Sequence, residues 1–202
     1  MHISEGVLAA PVLVIGAATA VIGCGVGLKK IDYDKTPRVA VLSSAFFVAS
    51  LIHVPLGPTN VHLVLNGIVG IILGWASFPA LLVALLLQAV LFQFGGITTL
   101  GINTVNMALP AVICFYLFSA LIRGKNRILA MIAGFAAGFI SVFISATLVA
   151  SSLVFTGEEF MAAAKLVVIA HFPVMVIEGI ITASVVGFLR KVRPKILEGI
   201  AI

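Results

Sequence analysis

Seven apolar runs divide the chain, at residues 6–28, 39–54, 61–76, 80–94, 100–122, 128–155 and 161–189. Short polar or breaker-rich stretches separate them. About 20 apolar residues wound as a helix cross the hydrocarbon core of a bilayer. The pattern therefore predicts an all-α integral membrane protein with seven transmembrane helices, in one domain spanning residues 1–202. Gly23 and Gly27, four apart in the first run, predict a close helix–helix approach.

Composition narrows the function classes. The chain is 62% hydrophobic and 9% charged, whereas a soluble domain carries roughly 25% charged residues. No stretch is polar enough for a separate soluble domain, and no Gly-rich phosphate loop ending in Lys-Ser/Thr is present. The formal charge of +5 marks membrane topology, with the bilayer as the partner and no nucleic acid. Cys24 and Cys114 fall inside apolar runs and read as small buried residues. No HExxH, CxxC, paired-carboxylate or nucleophile–base set appears, so an enzyme is not expected. No positive n-region precedes the first run, which is expected to stay attached.

Charge orients the spans. Lys and Arg gather after the first run (Lys29, Lys30, Lys35, Arg38), after the fifth (Arg123, Lys125, Arg127) and in the tail from Arg190. The breaks after the second, fourth and sixth runs hold neither. Seven spans put the three basic segments on one side, so the C-terminus is expected in the cytoplasm and the N-terminus outside. Lys165, near the outer end of the last run, is long enough to snorkel. The N-terminus, the loop at 55–60 and the loop at 95–99 then share the outer face. Irregular backbone at membrane depth needs protein or a cavity to receive it, so these pieces together are expected to build an outward-facing site.

The candidate chemistry collects there. A free amine at Met1, the His2 amide nitrogen and the His2 imidazole form fused chelate rings around one metal ion. That donor set favours square-planar geometry, hence Ni(II) or Cu(II), with Co(II) also open. His62, at the outer start of the third run, is the first choice for a fourth donor. His53, at the end of the second run, is the alternative. Asn60, Thr98, Thr99, Asn103 and Asn106 lie near the same level. They are expected either to hydrogen-bond the histidines around the site or to bond between helices. Glu5 is placed to neutralise the amine, orient a loop or cap the first helix. His171, two residues before Pro173, reads as a buried histidine bonded to a backbone carbonyl. Glu178 is an intramembrane acid, which by its cost points to a function.

Four motifs carry a family resemblance: Met1-His2-Ile3-x-Glu5-Gly6; Gly57-Pro58-Thr59-x-x-His62; Phe94-Gly95-Gly96-Ile97-Thr98-Thr99-Leu100-Gly101-x-Asn103-x-x-Asn106-Met107; and His171-x-Pro173-x-x-x-Ile177-Glu178-Gly179. In this order and spacing the chain resembles the CbiM/NikM family, the substrate-binding membrane component of energy-coupling-factor cobalt and nickel transporters. The chain differs where the family often has Gly-Gly-Thr-Ser before the histidine and Gly-Asp before the Gly-Gly pair. The resemblance implies seven helices, the first added to insert the N-terminus into the pocket. It implies a metal held by the terminal amine, the His2 amide and imidazole nitrogens and His62, with Asn103 and Asn106 in the pocket. It also implies a transmembrane coupling subunit, cytoplasmic ATPase subunits and a small accessory membrane subunit, in the cytoplasmic membrane of a prokaryote. No cofactor is expected beyond the transported Co(II) or Ni(II). The rival reading is a stand-alone divalent-metal secondary transporter or channel. It needs an ionisable relay across the membrane, for which only Glu178 and His171 offer themselves.

Overall fold

A computed structural model describes residues 2–51, 53–56 and 59–198 of the chain. Eight α-helices and one short hairpin make up the described regular structure: α1 Ala10–Lys30, α2 Thr36–Ala49, β1 His53–Leu56, β2 Thr59–His62, α3 Asn66–Leu73, α4 Ser77–Phe92, α5 Leu100–Arg123, α6 Arg127–Val154, α7 Met161–Ala170 and α8 Phe172–Val192, with short 3-10 turns between some of them. Among the described residues, five segments are long and apolar enough to cross a membrane: Ala10–Lys30, Asn66–Phe92, Leu100–Arg123, Arg127–Val154 and Glu158–Val192. Helix α2 is apolar but shorter. Large apolar side chains such as Val21, Ile22, Ile128 and Phe188 point outward, as a lipid-facing surface requires.

The helices match the apolar runs except in the middle. The second run gives only 14 helical residues and the third only eight. Between them the backbone leaves the helical path for an antiparallel hairpin, with His53 opposite His62 and Val54 opposite Val61. Leu65 then adopts a left-handed conformation (φ 53°) immediately before α3. The 3-10 turn Gly74–Ala76 separates α3 from α4, and Gly74 has a positive φ that an L side chain rarely adopts. Ser77 Oγ donates back to the Val69 carbonyl at 3.4 Å, whereas a straight helix would set the two residues about 12 Å apart, so the helical path is broken at this turn.

Helix α3 sits at the centre, with all eight residues buried. Small residues make room for it. A Cβ on Gly67 meets the backbone of Gly138 on α6, and one on Gly70 meets the backbone of Ala111 on α5. The same device joins α1 to its neighbours: Gly16 lies against the Ile102 backbone, Gly23 against the Phe78 ring and Gly27 against Trp75 and Pro79. The last apolar run bends where α7 meets α8. Pro173 removes an N–H there, while His171 N–H still reaches the Val167 carbonyl (3.1 Å) and Met175 N–H the His171 carbonyl (2.9 Å).

Candidate metal site

The chain before α1 doubles back beside the first turn of α5 and is fastened there residue by residue. Asn103 treats Ile3 as a strand neighbour would. Its Oδ1 accepts the Ile3 N–H (2.9 Å) and its Nδ2 donates to the Ile3 carbonyl (3.1 Å). Thr99 Oγ1 donates to the same carbonyl (3.0 Å) and Asn103 Nδ2 also reaches Thr99 Oγ1 (3.2 Å). Glu5 N–H donates to the Gly95 carbonyl (3.2 Å), and Glu5 Oε1 accepts the Thr98 N–H (3.0 Å). Gly96 must be small: a Cβ there strikes the Glu5 side chain.

These bonds deliver His2 into the interior, 1% exposed. Its amide N–H lies 3.2 Å from Asn60 Oδ1 and its ring Nδ1 lies 3.4 Å from the same oxygen. Two nitrogens of one residue thus converge on one point. The His2 ring stacks on His62, with centroids 4.7 Å apart and planes 22° from parallel. Burial holds the His2 imidazole pKa down to about 3, so the ring is neutral at physiological pH. Nδ1, facing an amide oxygen that only accepts, carries the hydrogen, and the lone pair is on Nε2, which is buried and has no hydrogen-bond partner. His62 Nδ1 lies 2.6 Å from the Leu63 carbonyl. A carbonyl only accepts, so Nδ1 carries the hydrogen and Nε2 carries the lone pair. Nε2 of His62 is buried and has no hydrogen-bond partner.

The other expected residues divide between the site and its surroundings. Asn60 and Thr99 are in direct contact with the N-terminal segment, and Thr98 joins it through its backbone. Asn106 is buried one turn deeper than Asn103, and its Nδ2 has no partner. His53 pairs across the hairpin with His62, but its Nδ1 bonds the Leu51 carbonyl (3.0 Å) and its ring meets Phe94 edge-on. His171 has the environment the sequence suggested, with Nδ1 at 2.6 Å from the Val167 carbonyl. Glu178 Oε1 accepts from the N–H groups of Val64 (2.5 Å) and Leu65 (2.7 Å). Met1 lies outside the described residues, as do Gly57 and Pro58 of the motif before His62.

One buried residue beside His2 escaped the sequence reading. Gln88 on α4 lies beside the His2 imidazole, and its Nε2 donates to Ser50 Oγ and to the Phe47 carbonyl (3.1 Å). Its signal was available: a lone amide inside Leu85-Leu86-Leu87-Gln88-Ala89-Val90-Leu91. Among the described residues no three His, Cys, Asp or Glu side chains converge closely enough to hold an ion.

This architecture is found in membrane proteins that carry metal ions. A crystal structure of a transition metal transporter superposes with a TM-score of 0.74 at 26% identity, over 95% of this chain and 93% of that one. A truncated transition metal transporter gives 0.69 at 25% identity, over 95% and 97%. The family model for the CbiM cobalt uptake substrate-specific transmembrane region matches residues 2–196. The chain belongs to that family, a component of metal transport. Among its relatives, a "Putative metal transport protein" of Haemophilus influenzae is 42% identical, over 98% of this chain and 97% of the relative. The cobalt transport protein CbiM of Sorangium cellulosum is 30% identical over 98% and 95%. The fused nickel transport protein NikMN of Rhodobacter capsulatus is 31% identical, over 98% of this chain and 64% of the relative.

Proposed function

We propose that the chain captures Co(II) or Ni(II) at an outward-facing site for ATP-driven import by partner subunits. In this reading it crosses the cytoplasmic membrane of a prokaryote seven times, with α3 and α4 as separate passes, its N-terminus outside and its C-terminus in the cytoplasm. The donors are the free amine of Met1, the amide nitrogen and Nδ1 of His2, and Nε2 of His62. The observation that carries the proposal is that the amide N–H and Nδ1 of His2 both face Asn60 Oδ1 beside the stacked His62 ring, so a metal ion that takes that oxygen's place, with both hydrogens lost, meets two nitrogens of one residue. A deprotonated amide nitrogen and an imidazole of one residue bind in the plane of a metal ion, which favours Ni(II) or Cu(II) and leaves Co(II) open; the family's cobalt and nickel transport proteins narrow the choice to Co(II) or Ni(II). The neutral His2 ring and the unpartnered His62 Nε2 support the same assignment.

Energy for release comes from elsewhere in this scheme. A transmembrane coupling subunit, cytoplasmic ATPases and a small accessory membrane subunit are the proposed partners. The break in the helix at Gly74–Ala76 and the gathering of Lys and Arg into three segments support the seven-pass arrangement.

Titration of purified protein with Ni(II) and Co(II) tests the donor set. One residue added before Met1 displaces the amine and abolishes tight binding, and His62→Ala removes most of the affinity. Unchanged binding in the extended protein excludes the terminal chelate. Unchanged binding in His62→Ala moves the fourth donor to His53.

A further inference from the structure

Glu178 is a fully buried acid on α8 with no task in the capture site described so far. Its Oε1 accepts the Val64 N–H at 2.5 Å. That N–H belongs to the same peptide group as the Leu63 carbonyl, and the Leu63 carbonyl is the acceptor for His62 Nδ1–H at 2.6 Å. A trans peptide is planar, with its N–H and C=O directed to opposite sides. Glu178 therefore grips one edge of a rigid plate whose other edge holds the imidazole. The second bond of Oε1, to the Leu65 N–H at 2.7 Å, fastens the next peptide, where Leu65 holds its left-handed conformation.

Hydrogen bonds in series polarise one another. An N–H held by a carboxylate leaves its own carbonyl a stronger acceptor, and that carbonyl fixes the hydrogen of His62 on Nδ1. A carboxylate bonded directly to a metal-binding histidine sets tautomer, ring orientation and basicity in the same way. We propose that Glu178 is a positioning residue for His62, acting through the 63–64 peptide to present Nε2 to the captured metal ion. The inference rests on the reading of His62 as a ligand. It makes the last helix, which leads to the basic tail, a structural part of a site at the other end of the chain.

Capping of α3 alone is the competing role, since a carboxylate near a helix N-terminus is stabilising. The two roles separate in a double-mutant cycle. Ni(II) and Co(II) are titrated into wild type, His62→Ala, Glu178→Ala, Glu178→Gln and the double variant His62→Ala/Glu178→Ala. Glu178→Ala weakens metal binding about 10- to 100-fold, the usual cost of losing an outer partner of a ligand. Glu178→Gln keeps an acceptor oxygen and stays within about threefold of wild type by the same reasoning. In the His62→Ala background Glu178→Ala has no further effect, and the visible absorption of Ni(II)-bound Glu178→Ala moves toward that of His62→Ala. Wild-type affinity in Glu178→Ala, or equal losses in both backgrounds, overturns the proposal. If Glu178→Ala does not fold, Glu178→Asp decides. Its shorter side chain withdraws the oxygen, so lost affinity there with retained affinity in Glu178→Gln supports the relay, and wild-type affinity in both overturns it. Full binding by His62→Ala instead removes the ligand reading itself, whatever Glu178 does.

Discussion

Asn103 substitutes for a β-strand at a place where no strand exists. Its amide offers an acceptor to the Ile3 N–H and a donor to the Ile3 carbonyl, and a carboxylate can only accept. Asn103→Asp therefore sets a negative oxygen against the Ile3 carbonyl, while Asn103→Ala leaves both Ile3 groups unpaired. Either change costs roughly 1–3 kcal/mol in docking of the N-terminal segment. We expect metal affinity, measured by Ni(II) titration, to fall about tenfold or more in both variants, with Asn103→Asp the worse of the two; an affinity equal to wild type in Asn103→Asp contradicts the clamp. The polar residues of the site were legible in the sequence because His2, Asn60, Thr99 and Asn103 interrupt apolar surroundings. Their pairing was not. Asn103 is 100 positions from Ile3 and Glu178 is 114 from Val64, and no local pattern encodes which distant partner a buried amide or acid will find. The carbonyl bond of His171 was legible because its partner, Val167, is local, four residues back in the chain.

At the scale of elements, helix α3 departs most from its sequence pattern. Residues 61–76 read as one apolar span, yet only Asn66–Leu73 is α-helical. Hydrophobicity reports membrane depth and cannot tell a hairpin from a helix when both are buried. The hairpin obtains what helix geometry would deny it: His62 is level with His2 and across from His53. A helix this short keeps its place by close fit, and Gly70 is the tightest point. We expect Gly70→Ala to destabilise the protein by about 1–3 kcal/mol, the usual cost of overpacking, because the new methyl meets the Ala111 backbone. Gly25→Ala on α1 meets nothing within 4 Å and is expected to be neutral or up to about 1 kcal/mol stabilising through helix propensity. Thermal unfolding in detergent separates the two. A Gly70→Ala protein as stable as Gly25→Ala argues against a tightly filled α3 environment.

For the whole molecule, the charge pattern gives an orientation that labelling checks directly. Cys24 and Cys114 are free and buried, so a cysteine introduced at an exposed position reports alone. Thr98 is exposed beside the N-terminal segment, and Lys125 is exposed in the basic turn after α5. We expect Thr98→Cys to react with a membrane-impermeant maleimide in intact cells, and Lys125→Cys only after permeabilisation. The reverse order inverts the topology and places the metal site on the cytoplasmic side. Composition made the membrane class legible, and the basic segments predict the sidedness that the labelling reads. The break between α3 and α4 was not legible, because the positive-inside rule counts loops and says nothing of how a short, wholly buried helix joins the next.

The notch between α1 and α5 has one more consequence. Gly16 lies against Ile102, and Ala17 against Gly101, while Ile3 is tied to Thr99 and Asn103. The stretch from Ile3 to Gly16 is thus closed at both ends on the opening turns of a single helix, α5. Its contour length is fixed even where its side chains are free to vary. One inserted residue within α1 turns the helix by about 100° and advances it 1.5 Å, which takes Gly16 out of its notch; one inserted before the helix slackens the loop that seats His2. Substitutions should accumulate in this stretch across related chains, and insertions and deletions should not.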